Sequence, residues 1–433
     1  MNIITVSTYL LSLSVKGFLQ TLSSPQAIGI YLLVLFVLVA VLTAYILLAL
    51  HLLRKHNETA IPVQVANSED KNTGADASRF HNLCKMDDPQ QDEDLPFQTV
   101  QLDKLCQDFK NFAASRLKLY YDISDIRRFV AGMSISRLVL LRGMSGTGKT
   151  SLAYAAGEFF GNPSTIVPIQ PMWKERSDII GYFNEFTKRF NETTLLCKLY
   201  EAGGSKQLYM TVLDEVNIAR IEYYFAEFLS LLEIPDPKKR LLDVVSDSWD
   251  TDPKRLIDGK LLLPENMWFI GTANNDDSTF AISDKVYDRA AVLDLDRKCK
   301  PFTAPDTPPV HISYEALRCK FSEAMVSSPI SPALQEKLSQ LDSYLGAVFR
   351  VSFGNRILQQ IRQYVPVMVA CGGTDVDALD DILSRKILRK LEQLSPALIK
   401  NEVPKLVLYL EELFGTDTMP LSREFLDRLQ KRL

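Results

Sequence analysis

The sequence is poor in the residues that bind transition metals or cross-link secreted folds. Six cysteines and four histidines are spread over 433 residues, with no C-x-x-C pair and no His and Cys at zinc-ligand spacing. Cys84, Cys106, Cys197, Cys299, Cys319 and Cys371 therefore read as reduced thiols. An excess of one charge is also missing, since 49 Lys and Arg against 53 Asp and Glu leave a formal charge of −4. A dedicated nucleic-acid binder usually carries a basic field that displaces counterions from phosphates, and this chain has none overall. It also shows no repeat at solenoid periods and no carboxylate–lysine cluster of a nuclease. What remains is an ordinary folded composition, 46% apolar and 24% charged, with enough chain for two domains and a linker.

One stretch departs from that average. Between residues 27 and 53 there is no Asp, Glu, Lys or Arg, and as a helix the run would be roughly 40 Å long against a hydrocarbon core of about 30 Å. The pattern predicts a transmembrane helix over 27–53, preceded by a short segment, 1–26. Within that segment 3–22 is apolar enough for a second, poorer span or an interfacial helix. Arg54 and Lys55 follow the span while only Lys16 precedes it, which favours a cytoplasmic C-terminal bulk. Residues 54–96 turn polar and acidic and read as a flexible linker.

The rest alternates strand and helix signals. Apolar positions at helical spacing predict two helices over 102–133. Short apolar runs at 137–141, 164–170, 208–213, 267–272 and 290–295 are of the kind a parallel sheet buries on both faces. The expected architecture is an α/β, three-layer αβα nucleotide-binding domain over 97–305 and a helical lid over 306–433. Within the lid, 381–391 mixes apolar and basic residues as an amphipathic helix with a solvated basic face would.

The chemistry starts after the first strand. Gly143, Met144, Ser145, Gly146, Thr147, Gly148, Lys149 and Thr150 fit G-x-x-x-x-G-K-[ST] at every fixed position. Glycines let the backbone curl so that successive N–H groups point at phosphate oxygens. Lys149 would neutralise the β- and γ-phosphates, the Thr150 hydroxyl would ligate Mg²⁺, and the helix beginning near Ser151 would present its positive end. The strand at 208–213 then delivers Asp214 and Glu215, the first suited to hydrated Mg²⁺ and the second to polarising a water. The next strand ends at Asn274, an amide placed to position that water. Arg289 follows in a D-K-V-Y-D-R stretch and is placed to stabilise charge on a neighbouring copy's γ-phosphate. Arg356 stands at the start of a lid helix.

Taken in order, GMSGTGKT, QPMWKERSDIIGYFNEFTKRFNET, LDEVNIARIEYYFAEFLSLLE and LPENMWFIGTANNDDSTFAISDKVYDRA resemble the McrB-like branch of the AAA+ ATPases, near the MoxR-like proteins. The similarity is dense over 117–295 and weaker to about residue 415. It implies a P-loop AAA+ domain with Gly143 to Thr150 as Walker A, Asp214 and Glu215 as Walker B, Asn274 as sensor 1 and Arg356 as sensor 2. Arg289 matches the second of an arginine pair that serves the adjacent protomer, with Asp288 in place of the first. Residues 178–191 look like the branch's helix-2 insertion, a hairpin that tends to face the ring axis. ATP with Mg²⁺ is the expected cofactor. GTP stays the alternative, although the N-x-x-D pattern in 274–277 sits near the γ-phosphate, out of reach of a base. The resemblance implies a homo-oligomeric, hexameric ring, and the apolar span would place it at a membrane, acting on an unidentified protein partner. The other readings are an NTP-dependent motor of a nucleic-acid restriction system with a separate nuclease, and a nucleotide-dependent scaffold.

Overall fold

The computed structural model of the chain describes residues 78–87, 100–274 and 279–431. The expected span at 27–53, the apolar segment at 3–22 and most of the linker lie outside the described residues. Among those described, no helix is long and apolar enough to cross a membrane.

Five strands form an all-parallel sheet: β1 (Leu138–Gly143), β2 (Thr165–Pro168), β5 (Tyr209–Asp214), β9 (Met267–Asn274) and β10 (Ala291–Asp294), in the order β10-β1-β9-β5-β2. Each predicted strand run is present, shifted by a residue or two at its ends. The period-2 alternation of side chains sorts each strand into two cores. Val139, Leu141, Met210, Val212, Trp268, Ile270 and Leu293 face one, which includes the helices Leu102–Arg116, Ile123–Ile135, Lys149–Phe159 and the lid. Leu138, Leu140, Tyr209, Leu213, Met267, Phe269 and Val292 face the other, beside the helices Thr194–Ala202 and Ala226–Leu231. Buried on both faces, β9 carries an almost unbroken apolar run, and only its last residue, Asn274, is less than fully covered.

Two small antiparallel sheets interrupt this frame. The insertion expected at 178–191 is a short helix, Arg176–Ile180, and a hairpin of β3 (Gly181–Asn184) and β4 (Arg189–Glu192). A second set, β6 (Leu241–Asp243), β7 (Leu256–Ile257) and β8 (Lys260–Leu262), precedes β9. Both hairpins expose apolar residues at their ends, Phe186 being 98% and Ile257 68% solvent-accessible.

Two expectations need correction. The stretch assigned to a flexible linker includes 78–87, which contains a helix, Asn82–Lys85, and buries Arg79, Phe80 and Leu83 in the same compact unit as the rest of 76–433. Its acidic, polar composition concealed three anchors in ten residues. The stretch 381–391 does not present a solvated basic face, because Arg385 and Lys386 are buried. Here the helix Asp375–Ile382 passes into a π-helical turn over Leu383–Ile387 and a 3₁₀ turn over Leu388–Gln393. That change of winding rotates the side chains away from the positions a regular α-helix would give them.

Candidate active site

The glycine loop is bent by conformations that side chains resist. Gly143 ends β1 at φ 147°, where a Cβ would meet the Leu295 carbonyl oxygen at 2.4 Å. Gly148, at φ 93°, is the N-cap of the helix Lys149–Phe159, and its carbonyl accepts a hydrogen bond from the Tyr121 hydroxyl at 3.0 Å. Between them Met144, Ser145 and Gly146 are exposed, and Thr147 Oγ1 donates to the Met144 carbonyl at 3.0 Å. Lys149 is buried under this crown, its ammonium donating to the carbonyls of Gly143 at 3.0 Å and Met144 at 2.7 Å. Ser151 follows in the first helical turn, half-buried.

Parallel pairing brings the acids to the same, C-terminal end of the sheet. Gly143 of β1 is in register with Asn274 of β9, and Leu213, just before the acids, with Gly271. Asp214 Oδ1 accepts from Thr150 Oγ1 and from Thr272 Oγ1, each at 2.8 Å. Glu215 is exposed in a left-handed conformation at φ 57°, its N–H donating to Thr272 Oγ1 at 2.9 Å and its N-terminal neighbour still in the strand. A non-glycine residue held there costs on the order of 1–3 kcal/mol and persists only when its surroundings impose it. The turn takes the carboxylate out of the alternation of β5 and into solvent, where Asn274 Nδ2 donates to Glu215 Oε1 at 3.2 Å.

The structure thus brings together Lys149, Thr150, Asp214, Glu215 and Asn274 from three separate stretches of the sequence. Residues 275–277 of the N-x-x-D pattern lie outside the described residues. Two supporting residues were not found from sequence. Thr272 bridges the two acids, and buried Asn217 donates through Nδ2 to the Asn274 carbonyl at 2.8 Å and to Thr279 Oγ1 at 2.9 Å. The only signal for Asn217 was a polar residue in an apolar, buried stretch. A loop with three positive-φ glycines and a buried ammonium fits an oligophosphate. The oxygens of Thr150 and Asp214 are the hard donors Mg²⁺ takes. Among the described residues no group of three or more His, Cys, Asp or Glu could hold a metal; a Mg²⁺ bound here would keep waters and phosphate oxygens in the rest of its shell.

No protein-family profile and no curated protein matches the chain. Among solved structures, a Cytophaga hutchinsonii protein assigned as an ATPase superposes with a TM-score of 0.45 at 12% identity, over 71% of this chain and 92% of its own. A full-length MCM homologue from Methanopyrus kandleri gives a TM-score of 0.35 at 11% identity, over 67% of this chain and 60% of its own.

Arg289 and Arg356 form a second group. Arg289 meets Glu233 with Nε 2.8 Å from Oε1 and a terminal nitrogen 2.8 Å from Oε2. Arg356 pairs with the same carboxylate. Arg356, which the resemblance implies as sensor 2, thus stands beside Arg289 on Glu233.

The lid holds the Arg289 turn tightly. The Asp288 carbonyl accepts from Gln360 Nε2 at 3.2 Å and Lys386 Nζ at 3.4 Å, and the side chain of Asp284 pairs with Arg389 and accepts from Gln393 at 2.7 Å. Lys386 Nζ also donates to Gln360 Oε1 at 2.6 Å. Burial, helped by nearby Arg356 and Lys390 and only partly offset by Asp288, pushes the Lys386 ammonium down from 10.5 to about 7. A depressed lysine means the folded state disfavours the proton that the unfolded chain still binds. The penalty is complete below pH 7 and fades as pH rises toward 10.5. Unfolding midpoints in denaturant should therefore rise between about pH 7 and 9.5, and Lys386→Met should flatten that rise. An unchanged slope in the variant would remove Lys386 as its cause.

Proposed function

We propose that this protein is a Mg²⁺-dependent ATP hydrolase that works as an assembly of copies, held at a membrane by residues 27–53 and acting on a protein partner at the cytoplasmic face. The observation that carries the reading is the convergence of Lys149, Thr150, Asp214, Glu215 and Asn274 at the C-terminal end of the parallel sheet. The bound nucleotide and Mg²⁺ would supply an electrophilic phosphorus and charge neutralisation. The chain's own residues do the remaining work. The curled loop and Lys149 bind and orient the phosphates, and Asp214 keeps the Thr150 hydroxyl in place. Glu215, exposed and steered by Asn274, takes up the proton of an attacking water. Thr272 ties both acids to β9, so their spacing is set by sheet register rather than by a loop.

Arg289 lies outside this group and is tied to Glu233, which supports a role toward another copy's nucleotide. Arg289→Ala should lower phosphate release by about a thousandfold, the range of a missing arginine finger, with nucleotide binding retained. Mixing is the deciding test. Glu215→Gln copies retain Arg289, and Arg289→Ala copies retain Glu215, so an equimolar mixture should regain a substantial fraction of wild-type turnover. A mixture as inactive as its components would show that no site is shared between copies.

A further inference from the structure

The ten residues 78–87 are bound as a peptide ligand is bound. Arg79 is 2% exposed, yet its guanidinium is fully engaged. It donates to both oxygens of Asp252 at 2.9 and 2.7 Å, to Asp247 Oδ1 at 2.7 Å and to the Asp247 carbonyl at 2.6 Å, and lies 4.4 Å from the centre of the Trp249 ring. Phe80 stacks on Phe190 of β4 at 4.9 Å, while the Arg79 carbonyl accepts from the Phe190 N–H at 2.8 Å. The Glu192 carboxylate, also on β4, accepts from the backbone N–H groups of His81, Asn82 and Leu83 at 3.2, 2.8 and 2.8 Å. Leu83 is fully buried. At the far end Arg255 donates to the Met86 carbonyl at 2.5 Å, and the Asp87 carboxylate accepts from the Lys254 N–H at 3.0 Å and from the Tyr200 hydroxyl.

Every one of these partners lies more than 100 residues away, and they come from three places: strand β4, the loop at 247–255 that leads into β7, and the helix Thr194–Ala202. The first two are the roots of the two hairpins whose ends expose Phe186 and Ile257. A charged anchor in an acid and aromatic pocket, a stacked ring, a buried leucine and backbone donors on a carboxylate are the ingredients of sequence-specific peptide recognition.

We propose that the surface between the roots of these two hairpins is a peptide-binding groove and that its occupant is residues 78–87 of this chain, recognised as Arg-Phe-x-x-Leu. The groove ties this segment to both hairpins, and none of the contacts named above involves the phosphate loop. Displacing the segment loosens the hairpins and leaves the sheet as it was. The inference is independent of the ATPase reading, and its test uses no nucleotide.

Hydrogen exchange is measured on the full chain carrying Arg79→Ala and Leu83→Ala. The amides of 182–191 and 244–255 should exchange at least about tenfold faster than in wild type, with those of β1 and β9 unchanged. A synthetic peptide of residues 77–88 added to the variant should restore the lost protection and bind saturably, whereas the same peptide with Arg79→Ala should not. Unaltered hairpin exchange would overturn the proposal. So would loss of protection throughout the sheet, or rescue that does not depend on the peptide's arginine.

Discussion

Glu215→Gln should lower steady-state phosphate release by about a hundred- to a thousandfold while nucleotide stays bound, the range of a lost general base. The substitution keeps the size of the side chain, and the backbone hydrogen bond from residue 215 to Thr272 Oγ1 at 2.9 Å needs no carboxylate. The left-handed conformation and the phosphate loop should survive, so only the proton acceptor is lost. Asn274→Ala tests the same centre from the other side, because it frees Glu215 from its 3.2 Å partner without removing the base; its loss should be smaller. Phosphate release measured beside equilibrium binding of a fluorescent ATP analogue separates the two effects. Full turnover in Glu215→Gln would remove Glu215 from the chemistry, and loss of binding would show that it supports the loop instead.

The largest effect on stability should come from Arg385→Ala. Arg385 is 6% exposed and joins lid to sheet, its Nε 2.6 Å from Asp381 Oδ1 and a terminal nitrogen 3.1 Å from Asp294 Oδ2. Asp381 also accepts from the buried Tyr364 hydroxyl at 2.6 Å, and Asp294 pairs with Arg142 at 2.8 Å. Burial alone would raise the Asp294 carboxyl, but Arg142 and Arg385 outweigh it and hold it below the usual carboxylate range. Without Arg385 the buried cluster is one cation short, with Asp294 left to Arg142 and Asp381 to Arg128, and breaking a buried pair costs about 3–5 kcal/mol. Chemical denaturation should show a fall of that order. Arg385→Lys should lose less, because a cation still faces Asp381 and Asp294. A loss below about 1 kcal/mol in Arg385→Ala would mean that Arg385 is no more than a surface ion pair.

Much of the candidate site was legible in the sequence because its spacing is local. A glycine loop between a strand and a helix is written in eight consecutive residues, and the acids and Asn274 mark the ends of apolar strands. Boundaries moved by a residue or two where strand ends lose their apolar character. What stayed hidden depends on partners far away along the chain. Nothing near Arg79 announces Asp252, which lies 173 positions later, so an anchored peptide looked like a tether. Arg385 and Lys386 looked solvated because the π-helical turn that buries them has no sequence signature of its own. Arg356 stood out at the start of a lid helix, but its partner Glu233 did not, since one acid after an apolar helix is commonplace.

The shared carboxylate of Glu233 has a thermodynamic consequence. Arginine is among the most flexible side chains, and immobilising one costs up to roughly 1.5–2 kcal/mol of rotamer entropy. Arg289 and Arg356 already converge on one point, so most of that ordering is completed during folding. An anion that displaces Glu233 meets a preorganised two-cation receptor, and its affinity is governed by how much more strongly than a carboxylate it holds the pair.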